Sequence, residues 1–278
     1  MRDYTIHNTK ILLYNQSKTE QYSMRTLNYF KSIYSGEDAF RKHLLLFSIT
    51  GILTLLINNI LSGISGSILT VQLTVQPASF SECFVDFVFT GILWFHIFGY
   101  EYKFLNNIMN DGEITLPEFD SGVFLTFCKM IPIFVLWQIY FFVITFFTGI
   151  YTFATSDLVY YFLAGTFMLF ITPFVFMIYV KFAKDFKYTK DVLTPLALIK
   201  IIDKGLVDVV IWSIKLGAFA LIPAAFMIGY MDWAVNIDTQ IPRLIAYLGG
   251  LCVSAYIFMI FKLIYGLGIA NIIKEKNL

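Results

Sequence analysis

The chain has 278 residues, of which 58% are hydrophobic and 14% charged, whereas a typical soluble domain is about 25% charged. A net charge of +1 creates no field that would attract nucleic acid, and we expect no nucleic-acid partner. Cys83, Cys128 and Cys252 are far apart in sequence, which excludes a disulfide scaffold and a clustered zinc motif. The composition therefore indicates a protein of the lipid bilayer.

Six apolar segments follow a polar N-terminal tail. A helix needs about 20 largely apolar residues to span a bilayer. We assign residues 1–43 to a cytoplasmic tail with an interfacial helix and residues 44–278 to a transmembrane domain. The predicted fold is an all-α, polytopic membrane protein with six transmembrane helices arranged as three hairpins. The predicted spans are residues 44–62, 83–104, 122–150, 158–182, 207–230 and 243–270.

Basic residues beside the spans predict the orientation. Seven lysines and arginines precede the first span, and six lie within residues 181–206. If the N-terminus is cytoplasmic, seventeen basic residues lie inside and only Arg243 lies outside. Cytoplasmic flanks carry the excess of Lys and Arg in membrane proteins. We therefore predict a multi-pass protein of the inner (cytoplasmic) membrane with both termini in the cytoplasm.

A similar stretch precedes each outward-going span. The three stretches are LNYFKSIYSGEDAF, FLNNIMNDGEITLP and LALIKIIDKGLVD. In the first, Met24, Leu27, Phe30 and Tyr34 share one helical face, as in a helix that lies at the level of the lipid headgroups. We predict a cytoplasmic interfacial amphipathic helix before each hairpin, with a glycine where the chain turns into the membrane. Two explanations of the likeness stay open. The chain contains a true triplication of one unit, or the stretches share residue types that are common in membrane proteins.

An acidic turn, NDGEITLPEFDSG, separates the second and third spans. Pro117 cannot continue a helix, and it biases Leu116 toward an extended backbone. Leu116 and Phe119 are apolar side chains that can return to the helix bundle. Glu118, Asp120 and Ser121 can cap the third span, where helix N–H groups are unpaired. The turn is predicted to be a rigid docking element, and a partner-binding loop is the alternative.

The stretch FLNNIMNDGEITLPEFDSGVFLTFCKMIP resembles the signature of a prokaryotic integral membrane family catalogued as domain of unknown function 4013. That pattern has a glycine-acid step, a Leu-Pro-Glu-aromatic-Asp turn and a lysine inside the next span. The resemblance extends from about residue 25 to the end of the chain and implies an architecture without a known activity. The matching residues are Leu116, Pro117, Glu118, Phe119, Asp120, Lys129, Pro173 and Tyr179.

Three ionisable residues within the spans are candidate ligand-binding residues, since such groups are costly in a membrane. Lys129 and Lys215 lie at similar depths in the third and fifth spans. They can snorkel to the headgroups, pair with a carboxylate, or together hold an anionic lipid headgroup or small anion. His96 in the second span is a candidate proton relay or interhelical hydrogen-bonding group. Glu101 and Lys103 are expected at the membrane interface.

Small residues are candidates for close helix contacts, namely Gly91 and Gly99 in the second span and Gly249 and Gly250 in the sixth.

The sequence contains no motif for a zinc hydrolase, a phosphate-binding loop or a serine nucleophile. We therefore expect a non-enzymatic accessory, assembly or scaffolding subunit with no cofactor and no metal. Its expected partners are membrane lipids, including anionic headgroups, and a membrane or cytoplasmic protein. The alternatives are a transporter or channel for a small anionic or lipid-like substrate and a membrane enzyme that acts on lipid.

Overall fold

The computed structural model describes residues 27–34, 36, 38–65, 80–111, 114–147 and 171–278. Side chains are described in these ranges except at residues 57–65, 80–90, 93, 94, 111 and 144–147. Within this part of the chain the protein is all-α, as the sequence predicts. The helices are α1 (27–34), α2 (Ala39–Ser65), α3 (Phe80–Asp111), α4 (Ser121–Phe147), α5 (171–183), α6 (Lys190–Leu193), α7 (Pro195–Val235) and α8 (Gln240–Lys276).

Four helices contain stretches that are long and apolar enough to cross a membrane. These stretches are Ala39–Leu56, Ser121–Val143, Pro195–Val235 and Gln240–Lys276. They overlap the first, third, fifth and sixth predicted spans. The second predicted span lies inside α3, and residues 158–170 of the fourth lie outside the described residues. The arrangement of six spans therefore stays a prediction.

Two of the three predicted interfacial helices are not separate helices. Residues 104–111 continue α3 to its end at Asp111. Residues 196–208 belong to α7, whose 41 residues run through Gly205 without a break. At 1.5 Å per residue α7 is about 60 Å long, roughly twice the thickness of a bilayer core. The predicted turn at Gly205 is wrong because tertiary packing of the apolar faces continues the helix, whereas Gly112 lies outside the described residues.

The first predicted stretch forms a separate helix, α1, which packs on the bundle; its position at the level of the headgroups stays a prediction. Ile33 is buried, and the Phe30 ring meets the Phe261 ring of α8 edge-on at 5.4 Å. The Asn271 amide of α8 donates a hydrogen bond of 2.6 Å to the Tyr29 hydroxyl. Leu27 remains exposed. The helix is thus anchored to α8 by polar and aromatic contacts.

The hydrophobic core lies at one end of the α7–α8 hairpin. α7 packs on α8, α4 packs on α3, and α2 packs on both α3 and α8. Most buried residues of α7 lie between Ala197 and Leu216, and most of those of α8 lie between Met259 and Ile273. The far half of the hairpin is the half next to the α7–α8 turn. There, large apolar side chains are exposed, including Phe226 and Ile241 at 72% each. This end of the hairpin therefore presents an apolar surface.

Two of the four glycines predicted to allow close contacts do so. A Cβ at Gly99 would collide with the Val123 carbonyl of α4, and one at Gly250 would lie 2.6 Å from the Met231 sulfur. Gly91 and Gly249 have no described neighbour within 4 Å of such a Cβ. The sequence did not single out Gly268, where a Cβ would collide with the Trp212 indole of α7. Glycine is thus required where α3 meets α4 and where α7 meets α8.

Candidate functional site

The structure places Lys129 and Lys215 on helices that pack against different partners. Lys129 is exposed on α4, with its ammonium 5.0 Å from the centroid of the Phe186 ring. Lys215 is half-buried on α7, one turn after Trp212, whose indole N–H donates to the Tyr265 carbonyl of α8. Neither lysine lines the two cavities described below. Their convergence on one anion therefore stays a prediction.

His96 forms a hydrogen bond within its own helix. The half-buried imidazole has its Nδ1 atom 2.7 Å from the Ile92 carbonyl of α3, to which the ring N–H donates. The ring also lies near Phe124 of α4, with a centroid distance of 6.0 Å. The Nδ1 atom therefore bonds to the preceding turn of α3. An interhelical hydrogen bond by the other ring nitrogen and a proton-relay role stay predictions. His96 lines neither cavity.

The apolar residues of the acidic turn return to the helix bundle. Leu116 and Pro117 are buried. The Phe119 ring stacks on the buried Tyr100 ring of α3, with a centroid distance of 4.1 Å and an interplanar angle of 13°. These contacts fix the segment before α4 against α3.

The carboxylates of the turn bind basic residues from two other helices. Glu118 accepts a hydrogen bond of 2.9 Å from the Arg41 guanidinium of α2, and the Lys42 ammonium lies at 3.6 Å. The predicted cap by Glu118 is therefore wrong, since these cations attract its carboxylate to α2. The Arg41 guanidinium holds the pKa of the Glu118 carboxyl below its ordinary value.

Asp120 connects the start of α4 to α3. Both of its carboxylate oxygens lie 2.7 Å from the Lys103 ammonium. The carboxylate also accepts hydrogen bonds from the N–H groups of Gly122 and Val123, which is the predicted capping interaction. The Lys103 ammonium, followed by these N–H groups, holds the pKa of Asp120 below its ordinary value. The acidic turn thus joins α2, α3 and α4.

Glu101 forms a buried ion pair that the sequence did not predict. Its side chain is fully buried on α3, and its Oε2 atom lies 2.6 Å from the Lys262 ammonium of α8. The same ammonium stands over the Phe98 ring, 4.2 Å from its centroid. Glu101 is thus enclosed by the protein core, and its position at the level of the membrane interface stays a prediction. The available signal was an acid in the apolar segment 83–104 and a base in the apolar segment 243–270.

Further polar side chains join helix ends. The Asn106 amide of α3 donates to the carbonyls of Ala183 and Lys184, where α5 ends. The Trp137 indole of α4 donates a hydrogen bond of 3.0 Å to the Val192 carbonyl of α6. Carbonyls at helix ends have no partner within the helix, so these side chains satisfy them. They also fix α5 and α6 against the bundle.

Two more polar contacts connect α8 to the rest of the core. The Lys276 ammonium lies 2.8 Å from the Asp208 carboxylate of α7, which is largely buried. His43 of α2 stacks on Tyr34 and its Nδ1 atom lies 2.8 Å from the Tyr256 hydroxyl of α8. The His43 Nε2 atom lies 3.2 Å from the Ile33 carbonyl of α1. This cluster holds α1, α2 and α8 together.

An aromatic cavity of about 560 Å³ lies between α3, α4, α5 and α8. Eight of its twelve described lining residues are aromatic, among them Phe127 and Phe134 of α4 and Tyr179 of α5. The Tyr179 ring meets the Phe134 ring edge-on at 4.8 Å. Lys262 is the charged residue among the described lining residues, while Gln138 and Thr172 are exposed polar residues of the lining. We call this space the aromatic cavity.

A second, polar cavity of about 430 Å³ lies where α5 and α8 end. Its described lining includes Lys181, Lys184 and Lys274, with Asp185 and Asp191 among them. The Lys274 ammonium donates to the Ile108 carbonyl of α3. The lining therefore carries charges of both signs. Among the described residues, no group of three histidine, cysteine, aspartate or glutamate side chains is arranged to hold a metal ion.

These features define an all-α protein with several helices long and apolar enough to cross a membrane and with a polar network joining its helices. Comparisons with protein-family models, curated proteins and solved structures give no match.

Proposed function

We propose that this chain is a non-enzymatic accessory, assembly or scaffolding subunit of the cytoplasmic membrane. It crosses the bilayer six times with both termini in the cytoplasm, so the packed end of the α7–α8 hairpin faces the cytoplasm. The described carboxylates and amides of the core support this proposal, because they bind other helices of the same chain. Glu101 with Lys262, Asp208 with Lys276, and Asn106 with the end of α5 are the main examples.

The far half of the α7–α8 hairpin is the surface on which such a subunit would meet a membrane partner. Leu221, Ile222, Phe226 and Ile228 are each 69% to 72% exposed. Contiguous exposed apolar surface marks a contact with lipid or with another protein. Lipid covers these side chains when the protein is alone, and a partner helix replaces the lipid when the subunit assembles.

The resemblance in residues 104–132 supports a second part of the proposal, that the chain belongs to the membrane family catalogued as domain of unknown function 4013. The ion pairs of Glu118 and Asp120 give a physical reason for both acidic positions of that pattern.

A transporter or channel is the second candidate. The aromatic cavity favours a lipid-like substrate over a small anion, since aromatic residues dominate its lining. This candidate requires movement of a substrate across the bilayer, which lipid or ion flux in proteoliposomes would detect.

Photo-crosslinking from the hairpin tests the subunit proposal. A benzoylphenylalanine at Phe226 should form an adduct with one membrane protein in native membranes. The control is the same probe at Ile214, which is 67% exposed on the packed half of α7; it should give lipid adducts only. Lipid adducts alone at both positions, together with substrate flux by the purified protein, would favour the transporter.

A further inference from the structure

The aromatic cavity extends along much of one predicted span. Its lining residues on α4 run from Phe127 to Phe141, a rise of about 21 Å at 1.5 Å per residue. Gln138 on α4 and Thr172 on α5 are exposed at its surface, so within the described residues the cavity opens between α4 and α5. With the chain in a membrane, which is the placement proposed above, lipid molecules surround this opening.

The charge beside the cavity is balanced. The Lys262 ammonium that lines the cavity lies 2.6 Å from the fully buried Glu101 carboxylate. An anionic ligand would add a second negative charge beside that carboxylate, and a cationic ligand would face the ammonium. Burying a charged headgroup without an unshared opposite charge is costly. The local electrostatics therefore select an uncharged ligand.

The lining also determines which uncharged ligand fits. An ammonium has three N–H donors and no acceptor, and the pair with Glu101 engages one side of it. Gln138 and Thr172 add amide and hydroxyl groups at the opening. The aromatic wall accepts hydrocarbon or planar rings. The volume of about 560 Å³ falls within the range of about 300–1,000 Å³ typical of small-molecule sites.

We propose that the aromatic cavity binds an uncharged membrane lipid whose carbonyl oxygen accepts a hydrogen bond from Lys262. The hydrocarbon part lies along Phe127, Phe134 and Tyr179, and the oxygen-bearing head lies toward α8. Acylglycerol esters and isoprenoid quinones both supply a neutral carbonyl on an apolar body. This ligand class differs from the anionic headgroup predicted for Lys129 and Lys215.

Competitive lipid retention tests the site. The full chain is placed in phosphatidylcholine nanodiscs that contain equal amounts of dioleoylglycerol, a long-chain ubiquinone and phosphatidylglycerol. After extraction into mild detergent, mass spectrometry measures each lipid retained per chain. Gln138→Trp fills the opening, and its matched control is Ile139→Trp, one residue along α4, 54% exposed and outside the lining. Glu101→Leu with Lys262→Met removes the hydrogen-bond donor and keeps the charge balanced.

We expect dioleoylglycerol or ubiquinone to be enriched about tenfold over phosphatidylglycerol, and the enriched species identifies the source of the carbonyl. Gln138→Trp and the double variant should abolish the enrichment, whereas Ile139→Trp should retain it. Enrichment of phosphatidylglycerol, no enrichment, or equal retention by both tryptophan variants would overturn the proposal. Recovery of the chain in the aqueous fraction before reconstitution would instead contradict the membrane placement.

Discussion

The Glu101 carboxylate of α3 is fully buried and lies 2.6 Å from the Lys262 ammonium of α8. These residues are 161 positions apart in sequence, and each lies in an apolar helix. An unpaired charge in such a place is strongly unfavourable, whereas a matched apolar pair is tolerated. The ion pair therefore fixes the position of α8 against α3 beside the aromatic cavity.

Removing one partner of this pair should be worse than removing both. We expect Lys262→Met to lower the free energy of unfolding by about 3–5 kcal/mol, because Glu101 loses its partner in the core. Glu101→Leu with Lys262→Met should recover most of that loss. Reversible denaturation of the detergent-solubilised protein measures both variants. A double variant that is as destabilised as Lys262→Met, or more so, would show that the two side chains are not coupled.

The contact between α3 and α4 should depend on Gly99. We expect Gly99→Ala to destabilise the protein by about 1–3 kcal/mol, since the added methyl group collides with the Val123 carbonyl. Gly91→Ala is the control on the same helix, with no atom of the described residues within 4 Å of the new Cβ. Thermal unfolding in detergent compares the two variants. Equal melting temperatures would contradict the close approach of α3 and α4.

The ion pairs of the acidic turn should stop stabilising the folded protein at acidic pH. The folded-state pKa values of Glu118 and Asp120 are lowered by Arg41 and Lys103. The two carboxylates therefore stabilise the folded protein fully at pH values above the pKa of the unfolded carboxyls, about 4. This stabilisation is lost as the pH falls through their lower pKa values in the folded protein. It is small because both side chains are about half exposed.

Thermal unfolding at pH 7 and at pH 3 measures this loss. Glu118→Gln with Asp120→Asn should lower the melting temperature at pH 7 and remove part of the acid-dependent decrease. Asp238→Asn in the α7–α8 turn is a control that should behave as the parent protein. If the double substitution leaves the decrease in melting temperature between pH 7 and pH 3 unchanged, other groups cause that decrease.

Local apolar patterns predicted much of the helical structure, but not the ends of the helices. Runs of apolar residues indicated the helices that became α2, α4, α7 and α8. Gly205 looked like a boundary, yet α7 passes through it because Ala197, Leu198 and Ile201 pack in the same core as the later residues. A single sequence shows the glycine but not the tertiary packing that compensates for it.

The candidate site was less predictable because its partners are distant in sequence. Leu116 and Phe119 were recognisable as apolar residues of a polar turn, and Asp120 as a cap. The pairing of Glu118 with Arg41, 77 positions away, had no local signal. Lys262 was one of the seventeen basic residues assigned to the cytoplasmic side, although the oppositely charged Glu101 in another apolar segment was a usable sign of pairing.

Cysteine labelling in intact cells tests the membrane placement most directly. In a background lacking Cys83, Cys128 and Cys252, single cysteines replace Lys187 at the packed end of the bundle and Asp238 in the α7–α8 turn. The 41-residue helix α7 lies between these two positions. An impermeant thiol reagent should label the Asp238 site in sealed cells and the Lys187 site only after the membrane is opened. Labelling of the Lys187 site in sealed cells, or equal protection of both sites, would contradict the account.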